Sequence, residues 1–273
     1  MPLTAPLPSL DEILASMGEG GRRIALIDAG EGAAGNISVC IGWPIEVRRR
    51  FPNREPIELP VPAPHLAGHT VLVTGSGRRL RDIVADPAAN IGAVVIDAHG
   101  TARLWTASGR LFERLTSEWN SHLAVHEDAV ARTGTNFQAV VHAQPPHITY
   151  LSHVEAYQDE AYFNARVMRW EPETIVNLPQ GVGVLRFMVP GSATLMAANV
   201  ESLRSHRIDV WGKHGVMARS DISVTRAVDR IEYAETGARY EYMDLVAGGR
   251  GQRLSDDEMR SIKTAFAVKT DLV

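Results

Sequence analysis

The chain has a single cysteine, Cys40, in 273 residues. That excludes an intrachain disulfide and any zinc site built on cysteine sulfur, and it fits a reducing compartment. No apolar run reaches the roughly 18 residues of a membrane span. The start, MPLTAPLPSLDEILASMG, lacks the basic opening and long apolar stretch of a secretory signal, so the expected location is the cytoplasm. Neither sign of charge dominates: 28 Lys and Arg stand against 32 Asp and Glu. This argues against a dedicated nucleic-acid or membrane-surface binder. The short basic runs Arg48-Arg49-Arg50 and Arg78-Arg79-Leu80-Arg81 read as solvated faces. Internal repeats and low-complexity tracts are also missing. What is there is 45% apolar and 22% charged, a globular composition in a chain long enough to bury a full core. With ten histidines, polar chemistry falls to His, Asp and Glu.

Ser9 caps a first helix running on from Leu10. GEGAAGNIS, residues 30 to 38, leads into the strand-like SVCIGW, and FPNREPIELPVPAPH reads as a Pro-rich surface loop. VLVTGSGRRLRD is a strand closed by a Gly-Ser-Gly turn, and GAVVIDAHGTARLW is a hairpin turning at Asp97-Ala98-His99-Gly100. WNSHLAVHEDAVART is helical, VVHAQ a strand, and another helix starts near Pro145. TIVNLP reads as a strand, followed by a turn at Pro179-Gln180-Gly181 and the strand GVLRFMV. ANVESLRSHR reads as a helix, IDVWGKHGVMA as strand, turn and strand, and VTRAVDRIEYAETGARYEYMDLVAGG as a long helix. The order lacks a regular βαβ period, and no linker divides it. The expectation is one α/β domain over residues 1–273, with a central, mostly antiparallel sheet flanked by helices in three layers.

Four features can carry chemistry. GEGAAGNIS and VTGSG put small residues at strand–turn junctions, where open backbone N–H groups can hold an anion. Neither has the spacing of a P-loop or dinucleotide fingerprint. Glu118 follows Thr116 and Ser117, either of which can cap the helix, leaving Glu118 as a first-turn acid. His142 and Gln144 share a strand face because side chains alternate. His214 lies in a turn between Gly212 and Gly215. Read alone, each has an ordinary structural explanation. His122 and His126 have chelating i,i+4 spacing, but without a zincin-type acid they read as structural.

In order, Gly35-Asn36-Ile37-Ser38, VTGSG, DPAAN, TSEW, VVHAQ, MVPG and WGKHGV resemble the class II aldolase/adducin family. The resemblance spans essentially the whole chain. The extended block through VTGSGRRLRDIVADPAAN and the overall length suit its rhamnulose-phosphate branch better than the shorter fuculose-phosphate enzymes. It implies a metal-dependent aldehyde-lyase. Such an enzyme cleaves a ketose 1-phosphate, similar to L-rhamnulose 1-phosphate, by retro-aldol reaction through a metal-bound enediolate. The products are dihydroxyacetone phosphate and an aldehyde such as lactaldehyde. It further implies a homotetramer around a fourfold axis, with sites between subunits.

By the resemblance, the catalytic carboxylate falls on Glu118. Phosphate donors fall on Gly35, Asn36, Ser76, Gly77, Thr116 and Ser117, and the metal positions on His142, Gln144 and His214. A second acid from across the interface falls on Glu173, with neighbouring Glu171 leaving that register open. Two positions depart from the pattern: Gln144 replaces a histidine ligand, and Ala33 replaces an asparagine near the substrate. A neutral amide oxygen is harder than imidazole, so Mn, Co or Mg stand beside zinc as cofactor. Gln144 then binds weakly or through water, or His147 or His153 substitutes for it. Two other functions share the scaffold: a sugar-phosphate epimerase or other lyase, and a non-catalytic oligomerisation module like the adducin head. Sibling epimerases carry Asp at the acid position, so Glu118 favours the aldolase.

Overall fold

The computed structural model describes residues 2–273. In chain order its regular elements are α1 (Leu10–Leu26), β1 (Asn36–Ile41), β2 (Asn53–Pro56), β3 (Thr70–Thr74), α2 (Pro87–Asn90), β4 (Ile91–Ile96), β5 (Ala102–Thr106) and α3 (Trp119–Thr133). There follow β6 (Phe137–Ala143), α4 (Pro146–Leu151), α5 (Glu160–Val167), α6 (Pro172–Asn177), β7 (Gly183–Leu185), α7 (Ala193–Ser205), β8 (Ile208–Trp211), β9 (Gly215–Ser220), α8 (Val224–Val246) and α9 (Asp256–Ala265).

The nine strands form one sheet in the order β2-β5-β4-β3-β1-β6-β9-β8-β7, and only β7 against β8 is parallel. The fold is the α/β architecture expected, a mostly antiparallel open sheet flanked by helices. Helix α1 starts where Ser9 and Glu12 close a reciprocal capping box, which satisfies two of the helix's first free N–H groups. TIVNLP is not a strand: Pro172–Asn177 is helical, with Glu171 at its N-cap and Thr174 and Ile175 buried. Its β-branched run suggested a strand, but Pro172 supplies a preset φ at the first helical position. GVLRFMV pairs only over Gly183–Leu185, and the Pro-rich loop contains the short edge strand β2.

Strands β1, β3, β6 and β9 are buried along their full length, because helices cover both faces of the sheet's middle. Alternation then sorts each strand. Ile37, Val39 and Ile41 of β1, with Ala139, Val141 and Ala143 of β6, enter the large core that includes residues of α1 and α8. Asn36, Ser38 and Cys40, opposite His142, Val140 and Gln138 in register, turn to the other face, the side of α3. Two central strands thus present polar residues to a buried face, and the site lies at its end.

Candidate active site

A cavity of ≈ 210 Å³ opens where β1, β6, the turn after β3, the start of α3 and the β8–β9 turn converge. Gly35, Asn36, Ser76, Gly77, Thr116 and Ser117 line it. So do Glu118, His142, Gln144 and His214. Residues far apart in the sequence are therefore neighbours.

His142 is held on three sides. Its ring stacks on Trp211, centroids 4.7 Å apart, and the Trp211 indole donates to Asn199 Oδ1 at 2.9 Å. Its Nδ1 lies 2.8 Å from the Val216 carbonyl. A carbonyl only accepts, so Nδ1 carries the proton and Nε2 presents a bare lone pair to the cavity. His214 sits in the turn after Trp211, its N–H donating to the Trp211 carbonyl at 2.9 Å. Lys213, at φ +63°, takes the left-handed position. Gly215 is needed for closeness: a Cβ there would lie 2.4 Å from the Ala143 carbonyl oxygen and 3.2 Å from His142 Cε1. Burial and neighbouring His142 push the His214 pKa down to about 4, against the pull of Glu118. Its ring is therefore neutral and able to donate a lone pair to a metal.

Glu118 completes the group. It occupies the N-cap position of α3 itself, making no side-chain cap; Thr116 Oγ1 instead accepts from the Glu118 N–H at 3.4 Å. The expected Thr116 or Ser117 cap is thus displaced by one or two residues, and the Glu118 carboxylate is free to turn into the cavity. Its Oε2 lies 3.5 Å from His142 Nε2, and its Oε1 lies 3.6 Å from His214 Nε2. The three ligand atoms all fall within 4.8 Å of one another. Donors about 2.1 Å from a tetrahedral ion are separated by about 3.4 Å, so the group fits a divalent metal. The Nε2 atoms of His142 and His214 both face Glu118, and Gln144 brings an amide to the same cavity. Neither alternative histidine joins them. His147 Nδ1 is 2.6 Å from Glu235 Oε1, and exposed His153 lies outside the cavity lining.

The small-residue rim is only partly open to a ligand. The Ser76 N–H already donates to the Arg114 carbonyl at 2.8 Å, and the Thr116 N–H to the Thr74 carbonyl at 3.1 Å. The hydroxyls of Ser76, Thr116 and Ser117 and the N–H of Gly77 remain as donors at this edge. The Asn36 side chain is also engaged, donating from Nδ2 to Glu118 Oε2 at 2.7 Å. Glu173 is exposed in the first turn of α6, outside this cavity. Ser38 stood in a motif with no role assigned to it, and Gln138 carried no signal; both reach the buried face of α3 through the β1–β6 register. His122 and His126 do not chelate within the described residues; both rings bond the Ser38 hydroxyl, at 2.6 and 2.7 Å.

Residues 16–242 match the family model of the Class II Aldolase and Adducin N-terminal domain. The rhamnulose-1-phosphate aldolase of Klebsiella pneumoniae subsp. pneumoniae is 31% identical over 216 residues, 78% of this chain and 76% of the relative. Among solved structures, a sugar-phosphate aldolase from Thermotoga maritima matches with TM-score 0.74 and 25% identity, covering 89% of this chain and 98% of its own. L-fuculose-1-phosphate aldolase from Thermus thermophilus is 18% identical, with TM-score 0.55 over 89% of this chain and 98% of its own, and shares the fold.

Proposed function

This chain belongs to the class II aldolase and adducin family as an aldehyde-lyase, and from that premise we propose that it cleaves a ketose 1-phosphate by retro-aldol reaction. The products are dihydroxyacetone phosphate and an aldehyde; for a 6-deoxy sugar such as L-rhamnulose 1-phosphate the aldehyde is lactaldehyde. The observation that carries this reading is the single cavity joining Glu118, the Nε2 atoms of His142 and His214, and the hydroxyl rim of Ser76, Thr116 and Ser117. The metal-binding residues are His142, His214 and Gln144. When bound there, a divalent ion supplies Lewis-acid stabilisation to the oxygen charge that develops as the bond breaks. Zinc suits the imidazoles, while the neutral oxygen of Gln144 admits Mn, Co or Mg.

The other steps belong to the chain's own groups. Gly35, Gly77 and the rim hydroxyls take the phosphate, and that remote binding energy places the carbon chain against Glu118. Glu118 takes the proton of the 4-hydroxyl, the freed O–H electron pair forms the aldehyde carbonyl, and the C3–C4 bond breaks with its electron pair going to C3. Glu118 returns a proton at C3 to give dihydroxyacetone phosphate. Asn36 acts on Glu118 in this scheme, through its Nδ2 donation to the carboxylate, more than on the phosphate. Phe187 and Val189 are exposed and lead into Pro190 of the cavity lining. A neighbouring subunit seated there closes the site and brings Glu173 of another copy toward it, in a homotetramer working in the cytoplasm.

The test is dihydroxyacetone phosphate release from L-rhamnulose 1-phosphate and other ketose 1-phosphates after reconstitution with Zn, Mn or Co. Release should depend on metal, and Glu118→Ala should lower turnover by about 10²–10⁴-fold with the fold intact. No release from any substrate with any of these ions, or full turnover in the variant, refutes the reading.

A further inference from the structure

Behind Glu118 the polar residues form one continuous line. Asn36 Nδ2 lies 2.7 Å from Glu118 Oε2, and Asn36 Oδ1 bonds His122 Nε2. His122 Nδ1 is 2.6 Å from Ser38 Oγ, and Ser38 Oγ is 2.7 Å from His126 Nε2. His126 Nδ1 is 3.0 Å from the side-chain amide of Gln138. Every member is buried: Ser38, His122, His126 and Gln138 are fully enclosed, and Asn36 and Glu118 nearly so.

The direction of donation follows link by link from what each atom can do. A carboxylate accepts, so Asn36 presents its NH₂ to Glu118 and its oxygen to His122. His122 Nε2 therefore carries the proton. Burial pushes the His122 pKa well below its usual value, with His126 and His142 adding to the effect. The ring is neutral, and its Nδ1 is a bare acceptor for the Ser38 O–H. With its one proton spent, Ser38 Oγ accepts from His126 Nε2–H. Burial likewise holds His126 down at about 4, so its Nδ1 is bare and needs a donor. Gln138 meets it with Oε1, two acceptors face to face, while Gln138 Nε2 is buried without a partner. One half-turn of that amide, which exchanges its nitrogen and oxygen, turns its NH₂ to the bare Nδ1 and ends the meeting of two acceptors.

We propose that Gln138, His126, Ser38, His122 and Asn36 form a single hydrogen-bonded chain in which every link donates toward Glu118, and that His122 is a positioning residue for that carboxylate. Its physical basis is the symmetry of a primary amide. Without the His122 N–H on its oxygen, Asn36 can rotate and set Oδ1 against the carboxylate, which repels Glu118 from its place. Links all running one way also polarise one another. The helix spacing of His122 and His126 and the strand spacing of Asn36 and Ser38 are what this line requires. The catalytic consequence rests on Glu118 acting as proposed above, whereas the direction of the chain does not.

The test therefore has two arms, both on the full chain. In the first, imidazole ¹⁵N–¹H long-range correlations, assigned by loss of signal in His122→Gln and His126→Gln, read the tautomers. Both rings should be neutral and protonated at Nε2, opposite to His142. A proton on Nδ1 of either ring, or both nitrogens of His122 protonated, overturns the chain's direction. In the second, His122→Leu should lower kcat for ketose 1-phosphate cleavage about 10–100-fold, with KM within about 2-fold and metal content unchanged. His122→Gln, whose Nε2–H reaches Asn36 Oδ1, should restore most of that kcat. Equal loss in both variants, or no loss in either, overturns the positioning role. A wild-type protein that cleaves no ketose 1-phosphate refutes the proposed function instead, and the tautomers then decide the chain alone.

Discussion

Gly35 joins the small-residue loop to β1, and replacing it separates two costs that usually come together. Its φ is +82°, where an L side chain costs about 1–2 kcal/mol. An added Cβ would also lie 2.7 Å from Leu80 Cδ1 and 3.0 Å from the His142 carbonyl oxygen. The leucine methyl is the end of a side chain and can yield. The carbonyl belongs to β6, paired with β1 through Asn36 and His142, and can retreat only by opening that pairing. Such overpacking costs about 1–3 kcal/mol more. Gly77 is the control: its φ is +71°, with nothing within 4 Å of an added Cβ. Gly35→Ala should therefore destabilise by about 2–5 kcal/mol and Gly77→Ala by only about 1–2 kcal/mol. Denaturant titration at matched protein and metal concentration reads the difference, as does calorimetry at about 2–4 °C per kcal/mol. Equal losses in the two variants would show that His142's carbonyl does not crowd this position.

Two further perturbations follow from single observations. Gln144→His should raise zinc retention on dialysis against a weak chelator, because imidazole replaces a neutral amide oxygen; metal analysis showing no change would remove Gln144 from the metal site. Asp209 is fully buried in β8 with neither carboxyl oxygen in a well-formed hydrogen bond. Burial pushes its pKa well above the ordinary carboxylate range, against the weaker pull of nearby Ser202 and Trp211. The folded state then holds a proton that the unfolded state releases above about pH 4, so stability falls as pH rises toward the folded pKa. Asp209→Asn removes that loss: its advantage over the parent should grow with pH, by at most about 1.4 kcal/mol per pH unit. A pH-independent difference in unfolding free energy would refute this.

Local signals sufficed wherever one element carried its own punctuation. Ser9 marked the start of α1, where Glu12 completes a capping box, and Asp97 to Gly100 marked the hairpin between β4 and β5, where Asp97 Oδ1 accepts from His99 and Thr101 N–H groups. They failed where composition and position disagree, as in α6, whose Thr-Ile-Val run is helical behind Pro172. At the site, Glu118, His142 and His214 were legible through their motifs, but the role of Asn36 was not. Its neighbours on the sheet face, Ser38 from the same strand and Gln138 from β6, depend on a strand register that no local pattern encodes. The i,i+4 pair His122 and His126 read as structural, and the geometry gives that word content: both rings meet on one hydroxyl.

Gln144 stands where an exchange disturbs little of the surrounding fold. Gln144 lies one residue past the end of β6, where its backbone N–H donates to the Ala29 carbonyl at 2.8 Å. Its side chain lines the cavity, and exchanging His for Gln there leaves that backbone hydrogen bond in place. Asn36 and His142 are the opposite case. Each is fixed by groups on two sides, Asn36 by Glu118 and His122, His142 by Val216 and Trp211. A change at either breaks a buried contact whose remaining partner then lacks its hydrogen bond, at about 1–3 kcal/mol. The cavity's edge can thus vary at Gln144 while Asn36 holds the Glu118 carboxylate in place. On this argument Gln144→His should change metal retention with unfolding free energy within about 0.5 kcal/mol of the parent in metal-free buffer. A larger loss of stability would mean that Gln144 is built into the fold, and that its exchange is not the isolated change described.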